Sequence, residues 1–177
     1  NQYAASTTTA YPITINTTDS SNFVSIVSSS QITFAVSGFY NIQFSLQLAN
    51  YDTASQDIDV WFRKNGTDIA NSNSRFGLAP RKSAGNPFHI VGSLNFIVQA
   101  TAGDYIQLMW AVSNTTISIA TTAAQVSPTV PQTPGVIVTA QQVMNTQIGS
   151  QGLPGLDGAD GDDGLPGPAG PPGLPGT

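Results

Sequence analysis

The chain has 177 residues, of which 40% are hydrophobic and only 8% are charged, so it can bury a core but presents a surface rich in Ser, Thr, Asn and Gln. All ten acidic residues are Asp, which disfavours helix interiors. Four of them lie after residue 148, so the rest of the chain is nearly neutral. It lacks the clustered cations of a nucleic-acid-binding protein. The absence of cysteine excludes disulfides and thiol chemistry, and no apolar run approaches the ~20 residues of a membrane span, so we expect no membrane insertion.

Residues 1–10 are small and polar, and they are predicted to form a lead-in that lies on a partner chain. The sequence begins at Asn1 without Met, which we interpret as a fragment or a processed product.

Residues 11–148 show β patterning throughout and predict one all-β domain. The strongest signal is Gly38–Asn50, where apolar and polar side chains alternate over ten residues. Asn65-Gly66 suits a type I′ hairpin turn, and residues 102–104 read as a second tight turn. The predicted strands are 11–16, 23–27, 31–36, Gly38–Asn50, 58–62, 67–71, 88–98, Tyr105–Val112, 115–122 and Val136–Met144. Eight to ten strands with such turns predict a sandwich or jelly roll.

Residues 149–177 carry glycine at every third position without a break. Only a hydrogen atom fits at the axis of three wound polyproline-II strands, so this period predicts a collagen triple helix and therefore a homotrimer. A flexible linker would not keep the register. At ~3 Å per residue the rod is roughly 80 Å long. It ends on an incomplete triplet, so we expect the collagen to continue. The axis glycines are Gly149, Gly152, Gly155, Gly158, Gly161, Gly164, Gly167, Gly170, Gly173 and Gly176.

Two sequence blocks in the β domain resemble a known family. The segment GFYNIQF (38–44) and the segment GSLNFIVQATAGDYIQL (92–108) are similar, in order and spacing, to motifs of the C1q/TNF-like superfamily. The resemblance implies a ten-strand jelly roll that packs as a compact threefold trimer. Animal members place the collagen before the head and contain cysteines, and many bind calcium. Here the collagen follows the head, cysteine is absent, and no calcium site can be carried over.

A narrower resemblance covers the segment DVWFRKNGTDIANS (59–72). It is similar to a stretch found in structural proteins of tailed bacteriophages, many of which also carry collagen-like repeats. The resemblance implies a fibre protein at the virion surface.

Few residues offer catalytic or metal chemistry. His89 is the only histidine and is out of phase with its apolar neighbours, so it is predicted to face solvent or an interface. Asp57 and Asp59 share one strand face, where a polar surface explains them better than a cation site. Asp160, Asp162 and Asp163 would bring nine carboxylates together in a trimer, where a solvated rod surface is favoured over capture of Ca²⁺. We therefore predict no cofactor, with Ca²⁺ as the weak alternative.

Four residues are candidates for binding a ligand. Arg75, Arg81 and Lys82 form the densest positive stretch, in a region predicted to be a loop, and could contact an anionic glycan or pair with Asp across a trimer interface. Trp61 is predicted to be exposed or intersubunit, whereas Trp110 shares the apolar face of its strand and is predicted to be buried.

The leading hypothesis is a non-enzymatic, homotrimeric structural protein of a virus particle, a phage fibre or decoration component, whose head nucleates and registers the collagen. The alternatives are an adhesin head that binds a host-surface glycan or protein, and a secreted bacterial or eukaryotic collagen-domain protein.

Overall fold

The computed structural model describes residues 1–144, 164 and 167–170, and the chain divides into two compact units, Asn1–Asn145 and Thr146–Thr177. We call the first unit the head. The described residues contain no helix, and in particular none long and apolar enough to cross a membrane. The prediction of an all-β head is confirmed. Its strands are β1 (Gln2–Tyr3), β2 (Tyr11–Pro12), β3 (Val24–Val27), β4 (Gln31–Phe34), β5 (Gly38–Asn50), β6 (Gln56–Lys64), β7 (Thr67–Asp68), β8 (Ser74–Leu78), β9 (Phe88–Ala100), β10 (Tyr105–Val112), β11 (Ile117–Ile119), β12 (Gln125–Val126), β13 (Thr129–Val130) and β14 (Val136–Met144).

The strands form two main antiparallel sheets and one small hairpin, β12–β13. In the first sheet β5 pairs with β9 along one edge and with β11 and β14 along the other, and β1 extends the sheet beyond β11. In the second sheet the order is β3, β4, β10, β6 and β7, with β2 also paired to β10 and β8 to β6. Successive long strands alternate between the sheets, an arrangement consistent with a jelly-roll-like sandwich.

The central strand of the first sheet is β5, whose predicted bounds are confirmed. Its inward side chains, Tyr40, Ile42, Phe44, Leu46 and Leu48, are all buried. Its outward side chains are polar except near its ends. Because strand side chains alternate between faces, the inward residues of β5 line one side of the core and its outward residues form the middle of an outer surface.

Aromatic side chains join the two sheets. Phe62 of β6 lies with its ring centroid 5.9 Å from that of Phe44 on β5 and 5.1 Å from that of Phe96 on β9. Trp110 of β10 is 1% exposed in the same core, as its strand pattern predicted. Burial of these large rings, together with the Ile, Leu and Val side chains around them, stabilises the head.

The Asn-Gly hairpin is confirmed. Asn65 and Gly66 have φ of 48° and 83°, and they connect β6 to β7 as a two-residue turn that pairs Lys64 with Thr67. A type I′ turn requires positive φ at both central positions, which Asn and Gly tolerate best.

Several predicted strands are shorter than expected. Residues 11–16, 67–71 and 115–122 contribute only Tyr11–Pro12, Thr67–Asp68 and Ile117–Ile119. Beyond each strand a backbone N–H still donates across the sheet, from Ile13 to Leu108 O, from Ile69 to Phe62 O and from Ala120 to Gln47 O, but the pairing goes no further as a regular strand, and nearby polar side chains make local hydrogen bonds. Asn114, for example, accepts from the backbone N–H of Thr116. Asn and Thr side chains compete with strand pairing in this way.

Three regions form strands that the pattern did not predict, and one of them is the small β12–β13 hairpin. Residues around Arg75, predicted to be a loop, form β8, which pairs with β6 and buries Leu78. Residues 1–10, predicted to lie on a partner chain, contribute β1, in which Gln2 and Tyr3 pair with Ile119 and Ser118 of the same chain. Short strands lack the length that reveals alternation.

Replacing Phe62 with Ala is expected to lower the head's free energy of unfolding by about 3–5 kcal/mol, because it removes the ring that contacts both sheets and leaves a cavity. Urea unfolding at a fixed protein concentration measures the change. Phe23→Ala is the matched control, since Phe23 is 63% exposed. Equal losses from the two variants would contradict the role of Phe62.

Candidate functional site

A cluster of polar side chains surrounds Trp61 on the outer face of the second sheet, and we call it the Trp61 cluster. The indole Nε1 of Trp61 donates to Asp68 Oδ1 at 2.8 Å, and Arg63 Nε donates to the same oxygen at 2.6 Å. The Asn-Gly turn allows Asp68 to accept these hydrogen bonds because it places Asp68 directly opposite Arg63. Hydrogen bonds from Arg63 and then from Trp61 lower the pKa of the Asp68 carboxyl.

A second ion pair completes the Trp61 cluster. Asp59 and Arg75 are register partners on β6 and β8, and the guanidinium donates from Nε to Oδ1 at 3.0 Å and from Nη2 to Oδ2 at 2.9 Å. Asn73 Nδ2 also donates to Oδ1, at 2.8 Å. The bonds from Arg75 are the main cause that lowers the pKa of Asp59. Both oxygens of Asp59 thus have protein donors, which favours the polar-surface interpretation of Asp57 and Asp59.

The four candidate ligand-binding residues do not form one patch. Trp61 and Arg75 belong to the Trp61 cluster, but Arg81 and Lys82 lie beyond the end of β8. There Arg81 donates from its backbone N–H to Asp52 O at 2.8 Å and from Nη1 to Tyr51 O at 3.3 Å, while Lys82 is exposed. The structure therefore separates Arg75 from Arg81 and Lys82. Of these three residues, Arg75 alone lies beside Trp61, and it is already paired with Asp59.

The outer face of the first sheet has a different character. It is formed by the outward side chains of β5, β9 and β14, and we call it the uncharged face. Its residues are Phe39, Asn41, Gln43, Ser45, Gln47, His89, Val91, Ser93, Asn95, Ile97, Gln99, Ile137, Thr139 and Gln141. Val91, Ile97 and Ile137 are each more than half exposed. His89 is its only ionisable side chain. Such a face is typical of an interface whose polar groups are neutral.

Asn41 lies near the centre of the uncharged face, between Ile97 on β9 and Gln141 on β14. Its side-chain Oδ1 is buried and accepts no hydrogen bond from any residue that the structure describes. A buried polar atom without a partner costs about 1–3 kcal/mol.

The turns beside β6 and β10 are linked by Asp104. Lys64 Nζ lies 2.7 Å from Oδ2, the Thr101 N–H donates to the same oxygen at 2.8 Å, and Asn65 Nδ2 donates to Oδ1 at 2.7 Å. These donors, with Lys64 contributing most, lower the pKa of the Asp104 carboxyl to about 2. The residue serves as a clamp between turns that are some forty positions apart in the chain.

A large concavity of about 910 Å³ lies between β14 and the segment 14–26. Half-buried Ile15, Ile26 and Val138 supply much of its apolar wall. The lining contains one carboxylate, Asp19, and no histidine. It can hold an apolar group, but it contains no paired acid and base.

The remaining candidates have no described chemistry. Within residues 1–144, 164 and 167–170, no group of three His, Cys, Asp or Glu side chains could hold a metal ion. Asp160, Asp162 and Asp163 lie outside the described residues. So do seven of the ten axis glycines, Gly149, Gly152, Gly155, Gly158, Gly161, Gly173 and Gly176. The other three, Gly164, Gly167 and Gly170, are exposed, with no described atom within 4 Å of an added Cβ.

Three important polar residues were not singled out by the sequence. Asp68 and Asn41 are ordinary members of a Thr- and Asn-rich chain. Asn50, at the end of β5, is fully buried and donates from Nδ2 to Ala54 O at 3.0 Å and to Ala79 O at 2.8 Å. The only available signal was that Asn50 follows an apolar strand at a position expected to face inward.

No family model matches the chain, and no curated protein is significantly similar to it. Its function has to be inferred from the two outer faces and from the glycine repeat.

Replacing Asp104 with Asn is expected to lower the free energy of unfolding by about 1 kcal/mol at neutral pH, because the lysine loses its charged partner. The folded-state pKa lies below the ordinary Asp value of about 3.9, so the stabilisation is complete above about pH 4 and is lost as the pH falls through about 2. Urea unfolding across this range tests the expectation.

The exposed carboxylate of Asp57, which lies outside the clamp, provides the control variant Asp57→Asn. A difference between wild type and Asp104→Asn that stays constant down to about pH 2 would contradict the clamp.

Proposed function

We propose that this chain is a non-enzymatic, homotrimeric structural protein of a virus particle, in which a C1q/TNF-like jelly-roll head aligns three chains so that the adjoining repeat winds into a collagen triple helix. The observation that carries the proposal is the unbroken glycine period from Gly149 to Gly176. Only a three-stranded assembly demands glycine at every third position.

The uncharged face supports the head's part in the proposal. Ile97 is 60% exposed and Ile137 is 54% exposed, and the polar side chains around them are almost all neutral. Burying neutral side chains costs less than burying charges, so such a face suits contact with a second copy.

The mechanism follows from effective concentration. Nine complete triplets form a short triple helix, which three separate chains would have to nucleate in register. A trimeric head holds the starts of the three repeats together and raises their effective concentration to the millimolar range. It also fixes the register, because β14 ends at Met144, five residues before the first repeat glycine.

The resemblance of residues 59–72 to phage structural proteins, together with the neutral Ser- and Thr-rich surface, supports a place on a virion as a fibre or decoration component. Antibodies raised against residues 1–144 are expected to label intact particles in electron micrographs. Secretion by a host cell with no particle-associated label would favour the alternative of a secreted collagen-domain protein.

Replacing Ile97 with Asp is expected to dissociate the trimer, because three carboxylates would have to be desolvated near one another. Like-charge contact of this kind costs about 3 kcal/mol or more, which is at least a hundredfold in association. Analytical ultracentrifugation at micromolar concentration measures the mass. Val126→Asp is the control, because Val126 is 91% exposed on β12, away from the uncharged face. A trimer that survives Ile97→Asp would place the interface elsewhere.

A peptide of residues 149–177 alone is expected to show no cooperative triple-helix melt at room temperature, whereas the full chain shows one. Circular dichroism with stepwise heating gives both results. The same peptide fused to a designed three-stranded coiled coil is expected to recover the transition, because alignment alone is what the head supplies. A cooperative melt of the isolated peptide would refute the dependence of the rod on the head.

A further inference from the structure

We propose that the depression beside Trp61 is a binding site for a neutral sugar ring. This inference goes beyond the structural role, since it assigns a recognition function to the outer face of the second sheet. It rests on the shape, the hydrogen-bonding groups and the charge balance of that depression.

The depression has a volume of about 410 Å³, within the range of small-ligand sites. Its lining consists of the aromatic Trp61, the aliphatic Ile69 and Ala111, and the planar polar side chains of Asp59, Asp68, Asn71 and Asn73. The C–H face of a pyranose packs on an indole, while its hydroxyls need planar donors and acceptors at the rim. The lining offers both kinds of surface.

The indole is held in place before any ligand arrives. Trp61 is half-buried, and its Nε1–H donates to Asp68 Oδ1 at 2.8 Å. Trp61 also follows buried Val60 and precedes buried Phe62, so its backbone is fixed by the core. A ring that is already oriented loses little conformational entropy on binding.

Hydrogen-bonding capacity remains at the rim. Asp68 Oδ1 accepts from Trp61 and Arg63, but Oδ2 accepts from no described residue, and the side chain is 53% exposed. Asn71 is exposed on a left-handed turn with φ of 61°, and its amide makes no hydrogen bond to another described residue. A carboxylate acceptor and an amide that both donates and accepts can serve adjacent hydroxyls.

The charge balance decides between neutral and charged sugars. The carboxylates of Asp59 and Asp68 are each paired with a guanidinium, Arg75 and Arg63, so the site has no net charge. An anionic sugar would have to displace one of these pairs. The free acceptor on Asp68 favours a hydroxyl over an anion, which it would repel. The ligand class is therefore an uncharged oligosaccharide.

A glycan array carrying neutral, sialylated and sulfated oligosaccharides, probed with the full-length chain, tests the proposal. Binding is expected to be confined to neutral glycans. The neutral glycan that binds best is then titrated while the intrinsic fluorescence is followed. Trp110 is buried, so a change on binding reports on Trp61.

Trp61→Ala is expected to weaken binding at least tenfold, and Asn71→Ala and Asp68→Asn severalfold. Trp61→Phe keeps part of the affinity but loses the fluorescence response. Lys82→Ala is the control, because Lys82 is exposed and outside the depression. The affinity of this variant for the glycan is expected to stay unchanged. Circular dichroism verifies that each variant is folded. If a Trp61 variant does not fold, the variant of the exposed Asn71 still tests the proposal.

The proposal is overturned if no neutral glycan binds, if only anionic glycans bind, or if folded Trp61→Ala and Asn71→Ala bind as the wild type does. None of these results bears on the trimer, whose mass is measured independently on the same samples.

Discussion

The contact of Phe62 with Phe44 and Phe96 is the interaction on which the head depends, because it holds one sheet against the other. Each ring comes from a different long strand. Because side chains alternate between the two faces of a strand, an inward-facing ring determines which of its neighbours face outward. With Phe44 facing inward, Gln43 and Ser45 must face outward. The core thereby determines which side chains form the uncharged face, so packing and surface chemistry are not independent properties of this chain.

The two outer faces differ in their charged side chains. On the second sheet, most charged side chains are paired, as in the bond from Arg75 to Asp59, although the exposed Asp57 makes no ion pair with a described residue. On the first sheet, His89 is the only ionisable side chain of the uncharged face, and apolar side chains such as Ile97 stand among neutral amides and hydroxyls. Paired charges tolerate water and gain little from losing it, whereas an uncharged face loses little when it is covered. This difference agrees with the proposed assembly through the first sheet and the proposed recognition by the second sheet.

The sequence predicts the fold better than it predicts the site. The bounds of β5, the Asn-Gly hairpin and the burial of Trp110 follow from period-two alternation and turn chemistry, which act over a few residues. β8 was not predicted because Gly77 interrupts a short segment that carries charge at Arg75. The partner of Arg75 is sixteen residues away, so only the register of two strands reveals it. The unpaired atom of Asn41 depends on neighbours from β9 and β14 and has no signature in one strand.

The pairing of β5 has a consequence for biosynthesis. Its partners β9 and β14 begin 38 and 86 residues after its last residue, Asn50. At a translation rate of about 5–20 residues per second, the part of β5 that pairs with β14 waits on the order of ten seconds for its partner. During that time the amides and hydroxyls on its outward side reduce its tendency to aggregate. The glycine repeat follows β14 in the sequence, so a ribosome completes every strand of the head before it makes the first repeat.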